Sequence, residues 1–183
     1  MAGNSLGGYL ALGLAARGRA ESVVAFAPAG GWPDEAFEQE LHEHFGPLQA
    51  LARAAAPQAD AIMATAEGRR RATQFTTVAW EHIPADLLTH QLLGVAACVD
   101  VGPMQEAALR EGWPLDAERI DRPVRIVWGA EDRILPWPQA ATRHRERLPN
   151  ADWVVLDGVG HCPQLDVPRE CAELILGSTA RVS

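Results

Sequence analysis

Three short runs of apolar residues stand out in the hydrophobic pattern of the chain, at positions 23–27, 124–128 and 153–156. The runs are rich in β-branched or aromatic side chains, and a proline or glycine follows within two residues of each run. Nearly continuous apolar runs of this length are typical of parallel strands that are buried on both faces. We therefore predict that these runs form strands of one parallel sheet.

Segments with helical periodicity alternate with these runs. One segment at 6–17 precedes the first run, another at 138–148 separates the second from the third, and a last one at 168–176 follows. Pro138 suits the first turn of a helix, because its missing N–H has no partner there anyway. This alternation predicts an α/β fold in which helices flank parallel strands.

The middle of the chain has a different pattern. From about 34 to 113 there is no strand pattern, and helical segments follow one another at 34–45, 48–56, 57–67, 70–82, 84–99 and 103–111. A segment of roughly 80 residues is far longer than a usual connection between two strands. We therefore predict a core formed by 1–33 and 114–183, with a helical lid inserted at 34–113. A separate helical bundle is disfavoured because strands resume after it.

A candidate nucleophile lies close to the start of the chain, in Gly3-Asn4-Ser5-Leu6-Gly7. This run matches G-x-S-x-G, in which a sharp strand-to-helix turn holds the serine hydroxyl exposed at a helix N-terminus. The backbone N–H of Leu6 is then the expected donor to a developing oxyanion. The motif alone is weak, but an apolar helical segment follows it at once.

Two further candidates follow the later predicted strands. Asp132 comes four residues after Trp128, the end of the second apolar run, and His161 lies in a glycine-framed loop after the third run. Functional sites of open α/β sheets lie at the carboxyl ends of the strands. The chain order Ser5, Asp132, His161 is the serine–acid–histidine order of one particular fold. Glu131 is a rival acid, and turn formation is the alternative role for Asp132.

These residues together resemble the α/β-hydrolase fold superfamily. The Gly3–Gly8 turn, the Trp128-Gly129-x-x-Asp132 stretch and the Gly158-x-Gly160-His161 stretch match its pattern in order and context. The resemblance implies Ser5 as nucleophile, His161 as general base and then acid, and Asp132 as the residue that orients the imidazole.

The residue types of the Gly3–Gly8 turn, here called the elbow, restrict the resemblance to particular branches of the superfamily. A serine at this position speaks against the haloalkane dehalogenases and epoxide hydrolases of the superfamily, which use aspartate there. The Gly-Asn-Ser-x-Gly-Gly form is similar to the branch of lidded esterases and carbon–carbon bond hydrolases. We expect hydrolysis of a small or medium apolar ester or acyl substrate without metal or organic cofactor. Trp32, Leu135 and Trp137 are candidates for substrate binding.

Three alternatives stay open at this point. The first is carbon–carbon bond hydrolysis of a diketone-type substrate on the same triad. The second is acyl transfer or perhydrolysis with the same residues. The third is a fragment without catalysis that acts as an interaction module.

The third alternative comes from a departure from the family pattern. The superfamily has several strands before the nucleophile, whereas only Met1 and Ala2 precede Gly3 here. The resemblance therefore implies that the N-terminal strands and the second oxyanion donor are missing. We expect positions 23–27 to form an open apolar edge, and the chain to be poorly soluble or inactive.

Composition and charge exclude other classes of function. The chain has 183 residues, of which 24 are acidic and 16 basic, and its net charge is −8. All of the basic residues are arginine, and no basic cluster is long enough to indicate a nucleic-acid or anionic-membrane partner. Three scattered cysteines predict neither a disulfide framework nor a zinc site. With no signal pattern, a cytoplasmic setting is expected; the oligomeric state is not predicted.

Overall fold

A computed structural model describes residues 1–45, 47–99 and 101–179 of the chain. The chain forms two compact units. Unit 1 contains Met1–Pro33, Phe75–Val78 and the chain from Trp113 onward. Unit 2 contains Asp34–Gln74 and Ala79–Gly112.

The centre of unit 1 is a parallel sheet. Within the described residues its strands are β1 (Ala2–Asn4), β2 (Val23–Phe26), β3 (Val124–Gly129) and β4 (Asp152–Leu156), in the spatial order β1-β2-β3-β4. Ala25 lies opposite Ile126, and Ile126 lies opposite Trp153. The three predicted strands and the α/β fold class are thus confirmed.

The first strand corrects one expectation. Positions 23–27 do not form an open edge, because β1 pairs with β2 along Ala2, Gly3 and Asn4. The N-terminal ammonium group of Met1 also donates a hydrogen bond to the Ser22 carbonyl, at 2.7 Å. Main-chain groups alone form this ladder. The short run Ala-Gly-Asn contains no β-branched or aromatic residue that would have indicated a strand.

Helices account for most of the remaining described chain. They are α1 (Leu6–Ala16), α2 (Glu35–Phe45), α3 (Leu48–Ala55), α4 (Ala59–Met63), α5 (Ala66–Thr73), α6 (Ala85–Ala97), α7 (Val101–Glu111), α8 (Thr142–Arg147), α9 (Pro163–Asp166) and α10 (Pro168–Thr179). Single 3₁₀ turns lie at Ala56–Gln58, Ala117–Arg119 and Gln139–Ala141.

The core of unit 1 lies between the sheet and its helices. Side chains from three strands form one cluster with the histidine-bearing loop and α10: Val24, Phe26, Val127, Leu156, Val159 and Cys171. Helix α1 buries Ala11, Leu12 and Ala15 and packs on β1 and β2. Its small side chains let the helix approach the strands closely, so the start of α1 is held rigidly at the end of β1.

Unit 2 is built from α2 to α7, and its described residues contain no strand. The helix predicted at 70–82 is wrong in its second half. Helix α5 ends at Thr73, and Phe75–Val78 leave the helical unit to join unit 1. The function of unit 2 as a lid stays a prediction.

No single helix in the described ranges is long and apolar enough to cross a membrane, although the bent pair Ala85–Ala97 and Gly102–Glu111 passes together by length and composition.

Candidate active site

Ser5 lies at the junction of β1 and α1 in a strained backbone conformation. Its φ is 54° and its ψ is −118°, in a region that residues with a side chain rarely adopt. Its N–H donates to the Phe26 carbonyl at 2.9 Å, and its carbonyl accepts hydrogen bonds from Tyr9 and Ala29 at 3.1 Å each. Such strain costs about 1–3 kcal/mol and persists only where the surroundings enforce it. These main-chain bonds on both sides of the turn enforce it here.

The sharpness of this turn depends on Gly3. A Cβ atom at Gly3 would overlap the main chain of Gly7 and Gly8, so the strand end and the first turn of α1 come together only if residue 3 has no side chain. Leu6 is the first residue of α1. Its N–H therefore has no acceptor one turn earlier in the helix, and the helix dipole favours a negative charge at this end.

Asp132 and His161 form a buried hydrogen-bonded pair. His161 Nδ1 lies 2.8 Å from Asp132 Oδ2, and the two residues are 4% and 5% exposed, respectively. The other carboxylate oxygen, Oδ1, accepts the N–H groups of Ile134 at 2.9 Å and Leu135 at 2.7 Å. Since a carboxylate accepts, Nδ1 carries the proton when the imidazole is neutral, and Nε2 is left as a base.

Asn4 links the elbow to the histidine loop. Its Nδ2 donates to the His161 carbonyl at 2.9 Å and to the Phe26 carbonyl at 3.1 Å. Its Oδ1 accepts from Gln164 Nε2 at 3.2 Å. The Ser5 hydroxyl itself makes no hydrogen bond to any described residue, so the side chain of the preceding residue connects the two loops.

The cysteine next to His161 is not a second nucleophile. Burial, together with the negative charges of Asp132 and Asp166, raises the pKa of the Cys162 thiol to about 12. Its sulfur lies 3.5 Å from Asn4 Oδ1. At neutral pH this thiol is protonated, and the reactive form of a cysteine is the thiolate.

The three candidates for substrate binding lie in different surroundings. Trp32 is 5% exposed and packs edge-on against Trp113, at 5.1 Å between ring centroids. Leu135 is 4% exposed, and its carbonyl accepts the indole N–H of Trp128 at 2.9 Å. Trp137 is half-buried beside Trp128, at 6.0 Å between ring centroids. Core packing explains Trp32 and Leu135, and a substrate contact stays a prediction for all three.

Sequence reasoning missed Asn4 and Asp166. In the sequence Asn4 has meaning only as part of the Gly-Asn-Ser-x-Gly-Gly form, which does not indicate what its amide contacts. Asp166 is 6% exposed and accepts main-chain N–H groups from Gly160 and Val78. An acid five residues after the histidine indicates no role in a single sequence, because only the fold shows which amides donate to it.

Metal ligation has no candidate in the part of the chain that the structure describes, where no three histidine, cysteine, aspartate or glutamate side chains are arranged to hold an ion.

Comparisons with known proteins identify the family of this chain. The model of the alpha/beta hydrolase family matches residues 1–174. A protein named epoxide hydrolase EphH, from Mycobacterium tuberculosis, is 31% identical over 186 residues, which cover 94% of this chain and 82% of that protein. A pimeloyl-[acyl-carrier protein] methyl ester esterase from Aromatoleum aromaticum is 33% identical over 88 residues, covering 44% of this chain and 35% of the esterase.

Solved structures show the same fold. The structure of a bacterial membrane phospholipase A has a TM-score of 0.68 and 24% identity to this chain. The match covers 99% of this chain but 56% of the phospholipase chain, so this chain spans little more than half the length of that protein. The extent of the family match and the identity to the mycobacterial protein establish that the chain belongs to the alpha/beta hydrolase family.

Proposed function

We propose that this chain carries the catalytic residues of a serine hydrolase that cleaves a small or medium apolar ester. The observation that carries the proposal is the strained Ser5 at the start of α1. It lies at the same edge of the sheet as the buried Asp132–His161 pair, since each of these residues follows the carboxyl end of a parallel strand. In this arrangement a nucleophile, a base and the residue that orients the base meet at one edge.

The proposed reaction runs through a covalent intermediate. His161 Nε2 takes the proton of the Ser5 hydroxyl while Oγ attacks the ester carbonyl, and the oxyanion accepts the Leu6 N–H. His161 then gives the proton to the leaving alkoxide, which departs as the alcohol. Water then attacks the acyl-serine and gives a proton to His161, which passes it to Ser5 Oγ as the bond to the acyl group breaks and the acid leaves. Asp132 keeps Nδ1 protonated throughout, so that Nε2 stays available as the base.

Ester hydrolysis by matched variants tests the proposal. We expect the chain to hydrolyse p-nitrophenyl esters of short and medium acyl chains. The rate with Ser5→Ala should not exceed the uncatalysed background rate. The matched control is Ser22→Ala, because Ser22 is a buried serine in the turn before β2 and lies outside the proposed triad. Unchanged ester hydrolysis by Ser5→Ala would contradict the proposal.

Epoxide hydrolysis is a second candidate, because the mycobacterial relative bears that name. The chemistry of Ser5 disfavours it as a covalent route: a serine oxygen that opens an epoxide forms an ether, which water does not cleave, whereas a carboxylate forms a hydrolysable ester. A route without covalent intermediate would use His161 to activate water directly. Turnover of styrene oxide that survives Ser5→Ala would support this candidate, and turnover of esters that is lost in Ser5→Ala would support the first.

A further inference from the structure

A short segment outside the predicted triad contacts the histidine loop. Residues Phe75–Val78, here called the strap, belong to unit 1, while the chain on either side of them belongs to unit 2. The chain therefore leaves the helical insertion, runs along the histidine loop for four residues and returns. The proposed reaction assigns no role to the residues of the strap.

The strap and Asp166 hold the residues on both sides of His161. Before the histidine, Gly160 N–H donates to Asp166 Oδ2 at 2.7 Å. After it, Cys162 N–H donates to the Thr76 carbonyl at 2.8 Å. The second oxygen of Asp166 connects this acid to the strap, since Oδ1 accepts the Val78 N–H at 2.9 Å. The main-chain amides of the two residues next to His161 are thus fixed by one carboxylate and one strap carbonyl.

The contact between the strap and the loop is close enough to require glycine. A Cβ atom at Gly160 would lie 3.0 Å from the Thr76 carbonyl oxygen, 3.1 Å from Thr77 Cα and 3.3 Å from Asp166 Oδ2. Asp166 is 6% exposed, so its carboxylate has left water and depends on these donors. The main chain of the strap therefore lies directly against the loop that carries the imidazole.

We propose that Asp166 is a positioning residue that, with the strap, sets the place of the His161 imidazole for catalysis. The inference rests on the proposed role of His161 as general base. His161 is held at its ring by Asp132 and at its carbonyl by Asn4, and its two neighbours along the chain are held by Asp166 and Thr76. The strap continues into unit 2 at both ends. The main chain of the inserted helices therefore leads directly to the Thr76 carbonyl, which accepts the Cys162 N–H next to His161.

Asp166→Asn removes one of the two acceptors without changing the size of the side chain. An amide offers one carbonyl oxygen, so its NH₂ group must face either Gly160 N–H or Val78 N–H, where donor meets donor. The loop then shifts, and small displacements of a catalytic group lower the rate steeply. We expect kcat for p-nitrophenyl ester hydrolysis to fall 10- to 100-fold, with KM changed less than about twofold.

Asp152→Asn is the matched control for this experiment. Asp152 accepts two hydrogen bonds from Arg125 at 2.6 and 2.8 Å, at the start of β4 and away from the histidine loop. The same substitution there weakens a charged contact without touching His161, so kcat should stay within about twofold of the wild type. Equal loss of kcat in both variants would assign the effect to general destabilisation and would overturn the proposal.

A second readout does not depend on the ester reaction. The Nδ1 proton shared between His161 and Asp132 gives a strongly deshielded proton NMR signal, identified by its loss in His161→Gln. We expect this signal to shift or broaden in Asp166→Asn and to stay in place in Asp152→Asn. An unchanged signal in Asp166→Asn overturns the positioning role. If the wild type cleaves no ester, the proposed function fails while this signal still tests Asp166.

Amide exchange decides the case in which Asp166→Asn does not fold. In the wild-type chain the amides of Gly160, Cys162 and Val78 should exchange with one common free energy of opening, because one joint opening of the strap and the histidine loop exposes all three. Independent exchange of these amides would contradict a strap that acts as a unit with the histidine loop.

Discussion

At the scale of single residues, two adjacent acids differ in what they touch. Asp132 is buried, and its oxygens accept hydrogen bonds from His161, Ile134 and Leu135. Glu131, one residue earlier, has an exposed side chain. The structure therefore puts Asp132, rather than the rival acid, within reach of the imidazole.

Substitution of these two acids separates orientation of the base from local charge. In Asp132→Asn the amide can present its NH₂ group to Nδ1, which then carries the lone pair and leaves the proton on Nε2. We expect kcat for p-nitrophenyl ester hydrolysis to fall by about 10³–10⁴-fold, as for loss of the orienting carboxylate in serine proteases.

Glu131→Gln removes the same charge one residue away and should leave kcat within about twofold. The account would be contradicted if the two variants lost similar activity, or if Asp132→Asn retained it.

At the residue scale, the sequence pattern identifies candidates whose catalytic roles stay predictions, and it does not identify their contacts. Motif spacing and chain order singled out Ser5, Asp132 and His161, and two of these three are in hydrogen-bond contact in the structure. Asn4 and Asp166 were not found. Asn4 contacts the main chain of a residue 157 positions away and Asp166 that of a residue 88 positions away, and no local pattern records such contacts.

At the scale of elements, helix α8 supports the elbow through one histidine. His144 is fully buried, and its Nε2 lies 2.9 Å from the Ala29 carbonyl, to which it must donate. The Ala29 N–H in turn donates to the Ser5 carbonyl at 3.1 Å. The imidazole Nδ1 is buried with no hydrogen-bond partner among the described residues. Protonation of His144 would therefore place a charge where nothing accepts its second proton.

This histidine makes folding sensitive to acid. Burial lowers the pKa of His144 from its ordinary value of 6.5, and the nearby Arg147 lowers it further, against the hydrogen bond to Ala29. The unfolded chain then binds a proton that the folded chain excludes, so the free energy of unfolding falls as the pH drops below about 6.5. The loss from this group is limited to about 1.4 kcal/mol per pH unit.

Urea denaturation between pH 8 and pH 5 measures this effect. We expect His144→Gln, which keeps a donor for the Ala29 carbonyl, to flatten the fall in stability relative to the wild type. His90→Gln removes an exposed histidine and should leave the curve as steep as before. A wild-type curve that His144→Gln does not flatten would show that this histidine is not the source.

Elements were predictable where side chains dictate them. The apolar runs that became β2 and β3 indicate strands because nearly all of their residues are buried, and the run of β4 is equally apolar although Val155 is exposed. Strand β1 and the strap were missed for the opposite reason. Main-chain pairing with neighbours distant in sequence holds both segments, and the residues at 74–82 have helical character that tertiary contacts override.

At the scale of the whole molecule, the chain is a member of the alpha/beta hydrolase family with a parallel sheet in one unit and helices in the other. The insertion predicted at 34–113 rests on its length, which exceeds any ordinary crossover between strands, and its role as a lid stays a prediction. The return of the strap to unit 1 was not predictable from the sequence. The family match at 1–174 includes Ser5, Asp132 and His161. The chain itself corresponds to 56% of the phospholipase chain, whose fold it shares.

The most direct test of the central claim is the intact mass of this chain before and after treatment with a fluorophosphonate, which reacts with an activated serine. The account predicts one adduct on the wild-type chain and none on Ser5→Ala, with peptide mapping to the segment that contains Ser5. An adduct that persists in Ser5→Ala, or a folded wild-type chain that forms none, would contradict it.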